Sequence, residues 1–215
     1  MILSRGRRYI FIHIPKTGGT SLALALEARA MKDDILLGDT PKASKRRNKV
    51  KGVKAAGRLW KHSTLADISG LASEEEINTF FTFTLVRNPW DRLVSYYHWL
   101  REQSFDHPVV ARAKATSFEG FLCDPGIQSS FMKNTAESYM RTLSGAEVCN
   151  AYIRLEHFDE DAQPLFGHLG FRLTLEHTNQ SDRTSDFRGY YTDETAGIVA
   201  KICAQDIEKF GYQFE

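Results

Sequence analysis

The sequence predicts an α/β fold: a central parallel sheet flanked by helices, in a single domain that spans residues 1–215. Three apolar runs, at 9–14, 80–86 and 151–155, have the composition of buried strands, and each is followed by a segment with helical character. Strands that alternate with helices form parallel sheets covered on both faces. The chain has 215 residues, of which 42% are hydrophobic and 26% are charged, as expected for one soluble globular domain.

The first predicted strand, 9–14, ends at Pro15, and a glycine-containing turn then opens a helix over about 19–31. This helix is predicted because Leu22-Ala-Leu-Ala-Leu26 has the composition of a buried helix. A short strand at 35–37 and helical turns over about 63–79 precede the second long strand, 80–86.

The sequence after the strand 80–86 has the signature of a helix start. Asn88 is a good N-cap, Pro89 suits the first helical position, and Asp91 lies in the first turn, where the helix dipole favours it. The helix is predicted to run to about Gln103. Further helices are predicted near 117–123, 134–143, 159–169 and 193–210, and 104–150 contains no motif that we assign.

Composition limits the functional classes. The formal net charge of +1 gives no global electrostatic argument for nucleic-acid binding. The three cysteines contain no CxxC pair, which favours a reducing compartment over a disulfide framework. No apolar run is long enough for a membrane span, and the N-terminus leads directly into the first strand without a leader. We therefore expect a cytoplasmic protein.

One segment, 41–61, is strongly basic. It contains no acidic residue and nine basic ones, namely Lys42, Lys45, Arg46, Arg47, Lys49, Lys51, Lys54, Arg58 and Lys61. Such a run is either a solvated loop or the mouth of a site that attracts an anionic cofactor or acceptor. The sequence leaves these two interpretations open.

The turn after the first strand has the composition of a phosphate-binding loop. Glycines allow a close approach of the backbone to a ligand, and the first N–H groups of the following helix point at it. A lysine and the positive end of the helix dipole add attraction for an anion. The residues of this predicted cradle are Lys16, Thr17, Gly18, Gly19, Thr20 and Ser21.

This loop differs from the loop of ATP and GTP hydrolases. Their GxxxxGK[ST] pattern places the lysine at the helix start, whereas Lys16 precedes the glycines here. The strand 80–86 ends in Arg87 rather than in a metal-holding aspartate. An arginine can clamp a second phosphate, and Ser95, on the helical face of Asn88 and Asp91, could add a hydroxyl donor.

Two motifs carry a resemblance to a known family. Phe11-Ile-His-Ile-Pro-Lys-Thr-Gly-Gly-Thr-Ser21 resembles the 5′-phosphosulfate loop of Golgi-type carbohydrate sulfotransferases and their bacterial relatives. Leu85-Val-Arg-Asn-Pro-Trp-Asp-Arg-Leu-Val-Ser-Tyr-Tyr97 is similar to their 3′-phosphate motif, especially that of heparan and uronyl 2-O-sulfotransferases. A third match, Lys61-His62-Ser63, lies where those enzymes place a histidine base.

The resemblance implies a P-loop-like sulfotransferase fold that takes 3′-phosphoadenylyl sulfate (PAPS) as donor, releases 3′,5′-ADP and needs no metal. Lys16 would contact the 5′-phosphate and the bridging oxygen, within the loop 16–21. Arg87 and Ser95 would hold the 3′-phosphate. His62 would be the general base for in-line transfer to a hydroxyl, most readily one on a saccharide. Because the family's usual membrane anchor is absent, a bacterial-type soluble enzyme is expected.

Several residues keep two interpretations. Asn179, Ser181 and Arg183 either cover the cofactor or form a turn cluster. Trp60, Trp90 and Trp99 have the size to stack on a base or sugar, although core positions are commoner. Arg92 is interpreted as structural, either pairing with Asp91 or lining the pocket.

Two other functions remain as alternatives. The first is a nucleotide-dependent kinase with a divergent loop, and the second is a non-catalytic module that binds polyanions through 41–61. The sequence leaves the acceptor and the oligomeric state open.

Overall fold

The computed structural model of the chain describes residues 1–175 and 186–214. Its strands are β1 (Ile2–Ser4), β2 (Tyr9–Ile12), β3 (Ile35–Leu36), β4 (Phe81–Val86) and β5 (Ala151–Arg154). The described α-helices are α1 (Gly19–Ala28), α2 (Pro41–Arg46), α3 (Glu74–Thr79), α4 (Pro89–Glu102), α5 (Pro108–Ala115), α6 (Phe118–Leu122), α7 (Pro125–Lys133), α8 (Ala136–Tyr139), α9 (Phe158–Asp161), α10 (Gln163–Leu169), α11 (Asp193–Ile202) and α12 (Ala204–Phe210). Short 3₁₀ helices cover Arg47–Val50, Leu155–His157 and Phe187–Tyr190.

The strands form one five-stranded sheet in the order β3-β1-β2-β4-β5. β2, β4 and β5 are parallel, with Phe11 opposite Phe83 and Phe83 opposite Ala151. The α/β prediction of a central sheet flanked by helices is confirmed. The edge differs from an all-parallel sheet, because β1 pairs antiparallel with both β2 and β3. The sequence analysis missed β1, whose three residues are too few to show a period.

The described residues divide into two compact units. The first contains Met1–Val86 and the described residues from Ala136 to Leu175, and it holds the whole sheet. Its core joins Leu22 and Leu26 of α1 to Phe11, Phe83 and Ile153 of the strands. The buried side chains that the sequence assigned to the first strand and helix therefore form this core, as their apolar pattern requires.

The second unit contains 87–135 and the described residues from 186 onward. In α4, Asn88 is the N-cap and accepts from Trp90 N at 3.1 Å, as predicted. The Asn88 side-chain amide donates to the Gln213 carbonyl at 2.9 Å, and the Trp90 indole donates to the Ala196 carbonyl at 3.0 Å. Tyr97 packs on the ring of Phe118 of α6. These contacts attach α4 to the C-terminal helices of its own unit.

Several predicted boundaries are wrong. Over 63–79 only α3 is α-helical, and the predicted last helix divides at Cys203 into α11 and α12. The unassigned stretch 104–150 contains α5 and α7, and the predicted helix 134–143 shortens to α8. None of the helices in the described ranges combines the length and the apolar character that crossing a bilayer requires.

Candidate active site

The turn between β2 and α1 is strained at one residue. Lys16 has φ of 64°, a left-handed conformation that lysine rarely adopts. The turn is closed by Thr17, which is 1% exposed and whose hydroxyl donates to the Ile14 carbonyl at 2.9 Å. Because such strain persists only where the surroundings enforce it, the position of Lys16 is a structural sign of a functional loop. The Thr17 hydroxyl serves the turn itself.

Both glycines of the loop are required by packing inside the protein. Gly18 has φ of 83°, and a Cβ there would lie 2.7 Å from a methyl carbon of Leu155. A Cβ on Gly19 would lie 2.1 Å from the His13 ring. The sequence analysis explained these glycines by the approach of a ligand. The structure adds that neighbouring side chains fill the space on the protein side.

The start of α1 fits an anion. The first four N–H groups of a helix have no intrahelical acceptor, and the N-cap here is Gly18, which has no side chain to accept from them. The first turn of α1 also has no acidic residue. Thr20 and Ser21 lie in this turn and are half-buried. These features are typical of an anion-binding helix start, and phosphate binding by the loop stays a prediction.

His62 lies next to the phosphate loop. Its Nδ1 is 2.7 Å from the carbonyl oxygen of His13, and the two imidazole rings meet edge to face at 4.7 Å. A carbonyl only accepts, so Nδ1 must carry the proton and Nε2 must carry the lone pair. In the part of the chain that the structure describes, Nε2 has no hydrogen-bond partner. The lone pair of His62 is thus on Nε2, and the general-base role stays a prediction.

Electrostatics keep the imidazole of His62 neutral. Burial lowers its pKa to about 4, against the opposing effect of the hydrogen bond to His13, and Lys61 lowers it further. Burial also holds the pKa of His13 well below its usual value. The Lys61 ammonium lies 2.5 Å from the Asp39 carboxylate and keeps the pKa of that acid low. His62 is therefore unprotonated at neutral pH.

A buried hydroxyl fixes the turn that carries His62. Ser63 is fully buried, and its Oγ lies 2.7 Å from the Arg58 carbonyl and 2.9 Å from the Trp60 N–H. The sequence analysis placed Ser63 at the start of the predicted helical turns and in the Lys61-His62-Ser63 match. Its observed role is to close a rigid turn over 58–63.

The second predicted anion-binding motif is in the other unit and is organised by an ion pair. The Arg87 guanidinium donates to the Asp91 carboxylate from Nε at 2.8 Å and from Nη2 at 2.6 Å. These contacts use two of the five N–H donors of an arginine. Ser95 is buried in α4, and its hydroxyl bonds to no residue within 1–175 or 186–214.

The remaining residues and the metal prediction have different outcomes. Arg92 is buried, lies 4.0 Å from Asp206 and packs over the Phe131 ring, which supports its structural interpretation. Asn179, Ser181 and Arg183 lie outside the described residues. Among the described residues, no group of three or more His, Cys, Asp or Glu side chains could hold a metal ion. The metal-free reaction stays a prediction.

Apart from Lys61, which pairs with Asp39, the basic segment 41–61 contains two kinds of cation. Lys42, Arg46 and Lys49 donate to backbone carbonyls at the end of α1 and just after it, including a 2.7 Å bond from Arg46 to Met31. These cations complement the negative end of the helix dipole. The second kind is exposed and makes no such bond: Lys45, Arg47, Lys51, Lys54 and Arg58. Part of the segment is therefore structural, and part faces solvent.

Comparison with known proteins identifies a family and a similar fold. A family described as the sulfotransferase family matches residues 1–213. The crystal structure of mouse sulfotransferase SULT7A1 complexed with PAP is similar in fold, with a TM-score of 0.51 and 14% sequence identity. The match covers 97% of this chain and 88% of that chain. No curated protein matches in sequence. The chain belongs to the sulfotransferase family.

Proposed function

We propose that this member of the sulfotransferase family transfers a sulfuryl group from PAPS to a hydroxyl of a saccharide or glycan-bearing acceptor. PAPS supplies the sulfuryl group that passes to the acceptor oxygen. The observation that carries the proposal is the bond from His62 to the His13 carbonyl, which joins a neutral imidazole to the phosphate loop. The structural relative was solved with PAP, which supports a donor of this kind.

The loop residues bind the 5′ end of the donor in this proposal. Backbone donors from Gly18 to Ser21 contact the 5′-phosphate at the start of α1, whose first turn has no competing carboxylate. Lys16 supplies a fixed cation that stabilises the negative charge on the leaving oxygen. This stabilisation is larger in the transition state than in the ground state, because the charge grows as the bond breaks.

His62 removes the proton of the acceptor hydroxyl. Its Nδ1–H is held by the His13 carbonyl, so the ring presents Nε2 in the correct tautomer. Burial keeps this nitrogen unprotonated, with a pKa of about 4. The ring therefore needs no prior deprotonation at neutral pH.

Arg87 and Ser95 bind the 3′-phosphate. Asp91 fixes the guanidinium of Arg87 through two of its N–H groups, and Ser95 lies about one helical turn beyond Asp91 in α4. This motif would distinguish 3′,5′-ADP from nucleotides that lack the second phosphate.

Nucleotide titration tests the proposal. Wild-type protein should bind 3′,5′-ADP in the absence of Mg²⁺ and bind 5′-AMP much more weakly, and Arg87→Ala should lose about tenfold or more in affinity for 3′,5′-ADP alone. Arg172→Ala, which removes an exposed ion-paired arginine, is the matched control. Equal affinity of the wild type for both nucleotides would refute the role of Arg87, and Mg²⁺-dependent ATP turnover would favour a kinase.

A further inference from the structure

We infer that the turn bearing Arg58 and Trp60 is the acceptor-binding surface, and that it selects sugar rings that carry a negative charge. This inference rests on the proposed function, because it takes His62 as the base. The sequence analysis left Trp60 between a core position and a stacking position, and it left the basic segment between a solvated loop and an anion-attracting mouth. The exposure and contacts of Trp60 and Arg58 bear on both of these alternatives.

Trp60 is an exposed aromatic residue in contact with the proposed base. It is 40% exposed, although tryptophan is usually largely buried. Its ring meets the His62 imidazole edge to face at a centroid distance of 5.0 Å. Within 1–175 and 186–214, the indole N–H has no hydrogen-bond partner. An exposed indole offers both an apolar face for a sugar ring and a donor for a hydroxyl.

Arg58 adds a positive charge at the same surface. Its guanidinium carbon lies 4.9 Å from the centre of the Trp60 ring. The described part of the chain offers Arg58 no hydrogen-bond acceptor and no carboxylate partner. Its N–H groups are therefore available for a carboxylate or sulfate on the acceptor, which an arginine can bind through two parallel bonds.

The local charge balance favours an anionic ligand. Lys51 and Lys54 are exposed in the same segment, which has no acidic residue. Of the acidic residues beside this segment, Asp39 pairs with Lys61 and the Asp67 carboxylate accepts from the Thr64 N–H. The segment that carries Trp60 therefore has an excess of positive charge, which favours an acidic acceptor over a neutral one.

The surface is preorganised. Because the buried Ser63 hydroxyl contacts the backbone of both Arg58 and Trp60, it holds the stacking residue and the charged residue in one turn with His62. A ligand that binds there has little backbone to order, and its hydroxyls lie beside the proposed base.

Saccharide binding tests the inference. The probes are a hyaluronan hexasaccharide, which is acidic, and cellohexaose, which is neutral, each titrated by calorimetry against protein saturated with 3′,5′-ADP. We expect the acidic probe to bind more tightly. Trp60→Ala should weaken it about tenfold and Trp60→Phe much less, and Arg58→Gln should weaken it about fivefold while leaving cellohexaose unchanged.

Two variants control for aromatic and charge loss elsewhere. Phe105→Ala removes another exposed aromatic, and Lys201→Gln removes an exposed cation. Neither should alter binding of the saccharides. Unchanged affinity in Trp60→Ala, equal binding of both probes, or no binding of the acidic probe would each overturn the inference.

The failure of this inference is separable from failure of the proposed function. Binding of 3′,5′-ADP by the wild type tests the donor site, and Trp60→Ala and Arg58→Gln should leave that affinity within about twofold of the wild type. A chain that binds 3′,5′-ADP but no acidic saccharide keeps its proposed donor chemistry and loses the acceptor surface. A chain that binds no 3′,5′-ADP loses the proposed function first.

Discussion

The two candidate phosphate-binding motifs are built in different ways. In the first unit, the loop 16–21 is held by backbone geometry and burial: a strained Lys16, a buried Thr17 and two glycines packed against side chains. In the second, Arg87 is held by an ion pair with Asp91, one helical turn away. A backbone-built site tolerates little change, whereas a side-chain pair adjusts. Substitutions should therefore affect the first motif more severely than the second.

The largest loss of activity should come from substituting Lys16. Lys16→Gly removes the proposed cation and also the cost of positive φ. We expect transfer to fall roughly a thousandfold, while the free energy of unfolding rises by about 0.5–1 kcal/mol. Single-turnover kinetics and urea denaturation measure the two quantities. Arg8→Gly, at the chain's other described non-glycine residue with positive φ, should leave transfer unchanged. Loss of stability in Lys16→Gly would contradict a strained loop.

His62 should show the next largest effect. His62→Gln should lower transfer about a hundredfold and leave 3′,5′-ADP affinity unchanged. In the wild type, activity should stay flat as pH falls from 8 to 5 and decline near pH 4, because the pKa of His62 is lowered to about 4. A decline of activity centred near pH 6.5 would show an imidazole with an ordinary pKa and would contradict the lowered pKa of His62.

The same pKa shifts predict how stability varies with pH. The unfolded chain protonates His62 and His13 near pH 6.5, whereas the folded chain does so only at lower pH. Between about pH 6.5 and 4 the unfolded state binds more protons, so stability falls as pH falls through that window. Denaturation at each pH must accompany the activity profile, and His62→Gln should reduce the slope.

Gly19→Ala should have an intermediate effect. Its Cβ would meet the buried His13 ring, so we expect a loss of about 1–3 kcal/mol in stability and roughly a thirtyfold loss in 3′,5′-ADP affinity. Gly167→Ala, in α10 where the Cβ meets open space, is the matched control and should be neutral or stabilising. If Gly19→Ala were as harmless, the loop would be adjustable after all.

The smallest effect should come from the pair in the second unit. Asp91→Asn keeps the shape of the side chain and weakens its hold on Arg87, so 3′,5′-ADP affinity should fall about threefold. Binding of 5′-AMP should not change. A loss as large as that of Gly19→Ala would show that the second motif is as inflexible as the first.

The sequence predicted the elements with strong local signals. β2, β4 and α4 follow from apolar runs and from Asn88 and Pro89 at a helix start. β1 escaped because its three residues are too few to show a period, and the break at Cys203 escaped because no glycine or proline marks it. Local pattern alone does not contain either fact.

The site was predictable in its residue types and less so in its contacts. The pair of Arg87 with Asp91 could have been found, since the two lie four residues apart across a helix start. The bond from His62 to His13 could not, because its acceptor is a backbone carbonyl, which every residue has. The bond from the Ser63 hydroxyl to the Arg58 carbonyl could not be predicted for the same reason, because its acceptor is also a backbone carbonyl. The role of His62 itself came from the family resemblance and still awaits its test.

The place of β2 inside the sheet has a consequence for amide exchange. β2 has β1 on one side and β4 on the other, and all four of its residues are buried. Amide hydrogens of Tyr9–Ile12 should thus exchange with deuterium among the slowest in the first unit, while those of the adjoining 15–18 turn exchange faster. A nucleotide that slowed exchange in the turn without changing the strand would show local tightening on a scaffold that was already rigid.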